Sequence, residues 1–325
     1  MNTTPQLRPM SLGDLFDTAF RLYREHFVTF VGIVALLQVP LAIVQFMIQL
    51  LVSNPALSAW MRASAQLQNA RRGQNIFDIL PIGQFFSAVA ITGGINLILS
   101  LIIGALITGA LANAIARGYL SQPISILTAY HFGARRYGAL LLASLIGLAV
   151  TIGVMALIGG CLFGAVTAYP ASGRNGLLVG VLVIGLLLFI FLFIPAIIFF
   201  TVRFLLTVQA IVLEGKGPLA GLGRSWRLVQ GSFWRVLGIV VLLNLLIYII
   251  AGIPATLVSL ALTLGSGDPF NNLVRNQAIT TLVTQIGVIL AQPIALSIYT
   301  LLYYDLRVRK EGYDIEVMAQ QTVAS

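Results

Sequence analysis

Charge is what this chain has least of. Only 9% of its 325 residues are charged, and the ten acids (Asp14, Asp17, Glu25, Asp78, Glu214, Asp268, Asp305, Glu311, Asp314 and Glu316) all fall outside the long apolar runs or at their ends. With no carboxylate at bilayer depth, neither a buried acid–base pair nor a proton relay has the groups it needs. The two histidines, His26 and His131, are far apart and have no neighbours at metal-ligand spacing, so they read as surface groups. The single cysteine, Cys161, lies in an apolar run, which excludes a disulfide framework and a cysteine-based metal centre. Glycine is plentiful, but no phosphate-cradling loop is formed, and helix packing accounts for it better. Nothing points to a cofactor. The first ten residues are polar, carry Pro5 and Pro9, and lack the charged-then-apolar layout of a cleaved signal peptide.

What is present is hydrocarbon. Apolar residues make up 58% of the chain and the mean hydropathy is +0.97, values foreign to an ordinary soluble domain. Six apolar runs, at about 28–52, 85–112, 140–166, 177–200, 236–262 and 279–302, are each long enough to cross ~30 Å of hydrocarbon. The fold class is therefore all-α, a polytopic helical membrane protein with six transmembrane helices. Pro40, Pro195, Pro254 and Pro293 sit inside the runs, and small residues recur at four-residue spacing, as in Ala105/Gly109, Ala110/Ala114 and Gly160/Gly164. Of the 19 Lys and Arg, 14 fall on the side of the termini and five on the other. The positive-inside rule then puts both termini in the cytoplasm of a cell-membrane protein. The net charge of +9 is on this reading a feature of the cytoplasmic face, suited to anionic phospholipid and not to nucleic acid.

The stretch 217–243 organises the rest. Leu219, Leu222, Trp226, Val229 and Phe233 fall on one side of a helix, with Arg224, Arg227 and Gln230 off it, and an unbroken apolar run begins at Val236. This predicts an interfacial amphipathic helix feeding a span. The same pattern stands near the start: residues 20–37 align without a gap to 226–243 with 8 identities in 18. There Ser11 and Asp14 predict a capping box. Leu12, Leu15, Phe16, Ala19, Phe20, Tyr23 and Phe27 form the apolar face, and Asp14, Asp17, Arg21 and Arg24 the polar one. A weaker copy follows Pro123, with Thr128-Ala129-Tyr130 matching Thr18-Ala19-Phe20 and Tyr137 matching Phe27. One membrane domain of three pseudo-repeats is expected, at about 11–117, 123–213 and 217–312, each an interfacial helix plus two spans in parallel orientation. A short helix is expected after Asn54-Pro55, ending near Gly73, and a turn-rich loop over 265–277.

Three segments carry a family resemblance. They are Ser11-Leu12-Gly13-Asp14 with Phe20-Arg21-Leu22-Tyr23-Arg24, then Arg224-Ser225-Trp226-Arg227-Leu228 with Gly231-Ser232-Phe233-Trp234-Arg235, and the ending from Leu302 to Gly312. Together they resemble the glycerophosphoryl diester phosphodiesterase membrane-domain family, over nearly the whole chain. The resemblance implies a prokaryotic membrane protein of undefined role. The catalytic α/β barrel of the family's fused members has no counterpart segment here, so the resemblance implies no active site.

Two groups of candidate residues remain. Arg21, Arg24, Arg203, Arg224, Arg227 and Arg235 are candidate lipid head-group contacts, with Arg203 about one turn past the hydrocarbon edge, where it can snorkel to phosphate or join an ion pair or anion site. Asn96, Gln209, Asn244 and Gln292, with Gln38, Gln45 and Gln285, are polar positions inside spans, whose default role is interhelical hydrogen bonding. Trp226, Trp234, Tyr137, Tyr303 and Tyr304 read as interface anchors. The expected function is a non-enzymatic membrane subunit or lipid-associated scaffold with membrane lipids as partners. The alternative is a permease or carrier for a lipid-like or small apolar substrate, and a membrane-embedded enzyme ranks behind both.

Overall fold

A computed structural model describes residues 9–53, 59–60, 62–63, 81–167, 175–265 and 269–312, and every regular element among them is helical. In chain order these are α1 (Leu12–Glu25), α2 (Phe27–Ile48), α3 (Ile82–Tyr119), α4 (Ile126–Thr167), α5 (Asn175–Phe204), α6 (Thr207–Glu214), α7 (Pro218–Val229), α8 (Phe233–Ile247), α9 (Ile253–Gly265) and α10 (Pro269–Glu311). A π-turn, Gln49–Ser53, extends α2, and a second, Tyr248–Gly252, joins α8 to α9. Six helical stretches are long and apolar enough to cross a membrane: Phe27–Ile48, Gly83–Tyr119, Ile126–Gly153, Phe191–Glu214, Phe233–Gly265 and Arg275–Glu311.

The amphipathic helices are set off from their spans by short local breaks. Ser11 opens α1 with the expected capping box: its hydroxyl accepts from the Asp14 amide at 3.1 Å, and Asp14 accepts from the Ser11 amide at 3.0 Å. Between α1 and α2, His26 takes φ −119°, ψ 25°; between α7 and α8, Ser232 takes φ −122°, ψ 18°. These two residues are equivalent in the alignment of 20–37 with 226–243. Gly231, at φ +80°, makes the second break possible, since that conformation is costly for any residue with a Cβ. The segment after Pro123 differs, because α4 runs from Ile126 to Thr167 with no break before its apolar part. At the corresponding point Arg136-Tyr137 continues the helix.

α10 is the axis. Two-thirds of its apolar window (67%) is buried, against 11–33% for the other five, whose outer faces are left to lipid. One buried cluster joins α1, α6, α7, α8 and α10 through Leu15, Ala210, Leu228, Ile239 and Leu302; another joins α2, α3, α4 and α6 through Phe30, Ile33, Leu111, Leu140 and Ile211. Close approaches fix these contacts. A Cβ on Gly133 would lie 2.9 Å from the Ala110 nitrogen, and one on Gly287 would lie 2.4 Å from the Ala251 Cα.

Several expectations change. α10 begins at Pro269, so the expected loop over 265–277 is largely helix; proline is well suited to that first turn because it has no amide hydrogen to leave unpaired. The buried face of α7 is Gly221, Leu222, Ser225, Leu228 and Val229, while Leu219 is 71% exposed and Trp226 only half-buried. The face is rotated because α7 folds back on α6, where a Cβ on Gly221 would lie 2.7 Å from Ile211 Cγ1. On α1, Leu12 is exposed and Leu22 buried. The helix expected after Asn54 lies almost wholly outside the described residues.

Candidate functional site

Both described ends, at Met10 and the close of α10, meet on one face of the bundle. Asp305 on α10 is fully buried and accepts from the Met10 amide at 2.7 Å and from Arg309 Nε at 3.0 and 3.1 Å, with Arg235 NH2 at 2.9 Å. The Met10 carbonyl accepts in turn from Arg235 NH2 at 2.7 Å and Arg309 NH2 at 2.8 Å. The segment before α1 is thereby clamped to α8 and α10 through its backbone. A charge buried in this way is tolerable only when paired and hydrogen-bonded, and Asp305 is both.

Beside it stands a second network. Glu214, at the end of α6, accepts from Arg224 Nε at 2.9 and 3.0 Å and from the Tyr303 hydroxyl, with Lys216 at 3.2 Å and Arg307 at 3.6 Å. Arg224 reaches past Glu214 to Glu311, which accepts from its NH1 and, at 2.6 Å, from its NH2; Arg307 approaches Glu311 at 3.4 Å. Hydrogen bonds to Glu311, and then to Glu214, raise the Arg224 pKa against the opposing effect of burial. Lys310 donates to the carbonyls of Arg227 and, at the cap, Gln230, satisfying the open end of α7. Arg136 donates to the Gly215 carbonyl at 3.2 Å.

Arg203 has another environment. Its guanidinium carbon lies 4.7 Å from the Trp226 ring centroid, 5.1 Å from that of Phe199 and 5.9 Å from that of Phe233, and its Nε and NH1 are buried without a hydrogen-bond partner. Aromatic faces hold the charge where a carboxylate would be expected. The backbone around it is broken between α5 and α6, and Ser225 repairs the break: fully buried, it donates to the Arg203 carbonyl at 2.7 Å and accepts from the Leu206 amide at 3.1 Å.

The candidate cations therefore divide. Arg224 and Arg235 are engaged with carboxylates, Arg203 with rings, and Arg21, Arg24 and Arg227 are exposed on the same face. Tyr303 and Tyr304 are buried; Tyr303 serves Glu214, and Tyr304 stacks on Tyr119 at 5.7 Å. Among the described residues, no three His, Cys, Asp or Glu side chains gather as a metal site would require. The three carboxylates at this face with buried or half-buried side chains, Glu214, Asp305 and Glu311, each face at least two cations. Such an arrangement ties helix ends together.

The polar positions inside the helices also divide. Gln209 is fully buried with both amide atoms unpartnered, and Asn96 is half-buried with its Oδ1 unpartnered. Asn244 faces outward and donates back to the Val240 carbonyl at 2.8 Å, so it makes no interhelical bond. Gln292 is half-buried on α10. Gln38, Gln45 and Gln285 do bond between helices: Gln38 Nε2 donates to Gln285 Oε1 at 3.1 Å, and Gln285 Nε2 donates to Gln45 Oε1 at 2.6 Å. Ser225, Asn113 and Ser297 are buried polar residues that sequence reasoning passed over. Ser225 stood inside a quoted motif, and its small hydroxyl on an otherwise apolar helix face was the available signal.

A family model described as a domain of unknown function, DUF7847, matches residues 37–303. The matched region runs from within α2 to Tyr303; it contains Glu214, Arg224 and Arg235 and leaves out α1 and Asp305. No curated protein and no solved structure matches the chain.

Proposed function

We propose that this chain, which belongs to the DUF7847 family, is a non-enzymatic integral membrane subunit or lipid-associated scaffold that holds anionic phospholipid at the face carrying its two ends. One observation carries the reading: the buried and half-buried carboxylates of that face are consumed in internal ion pairs, while Arg21, Arg24 and Arg227 remain exposed beside them. Internal pairing stabilises the face, and the exposed arginines Arg21, Arg24, Arg135 and Arg227 outnumber the exposed acids Asp14, Asp17 and Glu25 among them, which gives it a positive field. The positive-inside distribution makes this the cytoplasmic face of a cell membrane. The like conformations at His26 and Ser232 support a repeated unit of amphipathic helix and span. The resemblance to the glycerophosphoryl diester phosphodiesterase membrane-domain family fits a membrane module without its own active site.

The test is lipid retention. Arg21→Gln/Arg227→Gln should lower co-purifying anionic phospholipid, read by mass spectrometry, and lower thermal stability in anionic bilayers but not in zwitterionic ones. Each exposed arginine near an anionic leaflet contributes about 1 kcal/mol and is screened by salt. Arg224→Gln is the control; it breaks internal pairs and should cost stability equally in both lipids. Unchanged lipid content in the double variant would overturn the reading.

A further inference from the structure

Independently of that face, we infer that α2 and α10 enclose a water-accessible polar cleft, entered from the side opposite the termini and reaching the bilayer midplane, which binds a neutral, hydroxyl-rich ligand.

Gln38 stands at the middle of α2, so the hydrogen bond it donates to Gln285 marks the midplane on both helices. Gln45 is seven residues further along and Gln49 eleven, about 10 and 16 Å at 1.5 Å per residue. Thr281 continues the line on α10: its hydroxyl donates to the Gln277 carbonyl at 2.9 Å and lies 3.4 Å from Gln49 Oε1. The amides thus form a ladder from the midplane to the edge of a hydrocarbon half-layer of about 15 Å.

Two features separate this ladder from an ordinary sealed contact. The first is its direction. Gln38, Gln45 and Gln49 share one face of α2, lying between the buried Leu41 and Ala42, while the exposed apolar residues Leu36, Val39, Ile43 and Met47 occupy the opposite face. The ladder looks into the bundle and not at lipid. On α10, Gln285 points away from Gly287, whose face is pinned against Ala251 of the second π-turn.

The second is incomplete satisfaction. A glutamine amide offers two donors and can accept twice. Among the described residues Gln38 uses one donor, Gln45 one acceptor and Gln285 one of each. All three residues are half-buried, and Gln38 Oε1 and Gln45 Nε2, the amide atoms with no partner among the described residues, are not enclosed. These two atoms therefore open onto accessible space. Open polar atoms are strongly disfavoured in hydrocarbon, so inward-facing, open amides require water or a hydrogen-bonding ligand between α2 and α10. Paired donors and acceptors with no ionisable group among them fit a polyol-like ligand and not an ion.

The test uses single cysteines in a Cys161→Ala background, with a membrane-impermeant maleimide added from the side opposite the termini. Gln45→Cys and Gln285→Cys should label at least tenfold faster than the outward-facing controls Leu36→Cys and Ile43→Cys. Thr281→Cys leaves all four ladder glutamines in place, so it reads the cleft even if loss of an amide disturbs folding. Molar glycerol or erythritol should slow labelling at Gln285→Cys and Thr281→Cys several-fold and leave an exposed site such as Gln277→Cys unaffected. Labelling no faster than at the controls, or labelling that the polyols do not slow, overturns the inference. Neither result bears on lipid retention by Arg21 and Arg227.

Discussion

Asp305 shows how much a single residue decides here. It is fully buried, yet it joins the backbone of Met10 to side chains on α8 and α10. Asp305→Asn would keep the shape and remove the charge, leaving Arg235 and Arg309 uncompensated against each other. Breaking a buried pair in this way costs about 3 kcal/mol, so the variant should show a clearly lowered unfolding midpoint in detergent and release of the segment before α1 to proteolysis. Asp17→Asn, on the exposed side of α1, should stay within about 0.5 kcal/mol of the parent. Equal effects at the two positions would mean that the clamp contributes nothing.

At the scale of elements, glycine sets how closely α10 and the second π-turn approach. A Cβ at Gly287 would lie 2.4 Å from the Ala251 Cα and 2.5 Å from its Cβ, with no flexible side chain to give way. Gly287→Ala should therefore separate the continuous α8–α9 span from α10 and destabilise by about 1–3 kcal/mol, the usual range for overpacking. Gly147→Ala on α4 meets nothing within 4 Å and should be neutral or slightly stabilising, since alanine is the better helix former. Paired thermal melts of the two variants check this. The breaks beside α1 and α7 belong to the same scale: His26 and Ser232 adopt one conformation, whereas α4 runs on without one.

For the whole molecule the organising fact is that both described ends lie on one side. Met10 is bound at Asp305, Tyr119 at the end of α3 stacks on Tyr304, and Lys310 caps α7 at Gln230. An even number of crossings is implied. Cysteines at Gln122 and Gln230 should thus be protected from an impermeant maleimide in intact cells, and one at Gln277 should label, if the basic face is cytoplasmic. Labelling at Gln230 would invert the molecule, and labelling at both Gln230 and Gln277 would break the six-span count. The loose outer helices fit this scale too, because lipid satisfies apolar surface without packing, and only α10 is enclosed on most sides.

The helical class, the six helices long and apolar enough to cross a membrane, and the capping box at Ser11 were all legible in the sequence. These are set by local quantities: run length, helical periodicity and a hydroxyl three residues from a carboxylate. The sequence also placed Gln38, Gln45 and Gln285 inside spans. It could not say that Gln38 and Gln285, 247 residues apart, would face each other. Nor could it say that Arg224 would find two carboxylates and Arg203 three aromatic rings, while Arg21 and Arg227 stay exposed. Those assignments depend on how the helices rotate against α10. The rotation of α7 shows why: close approach at Gly221 and the bond from Ser225 to the broken backbone at Arg203 outweighed the apolar stripe through Leu219 and Trp226. In a membrane that stripe is weak information, since an apolar side chain is as well placed in lipid as in the core. Only contacts that hydrocarbon cannot replace, the hydrogen bonds, ion pairs and close backbone approaches, fix which face turns inward, and these are made in the tertiary structure.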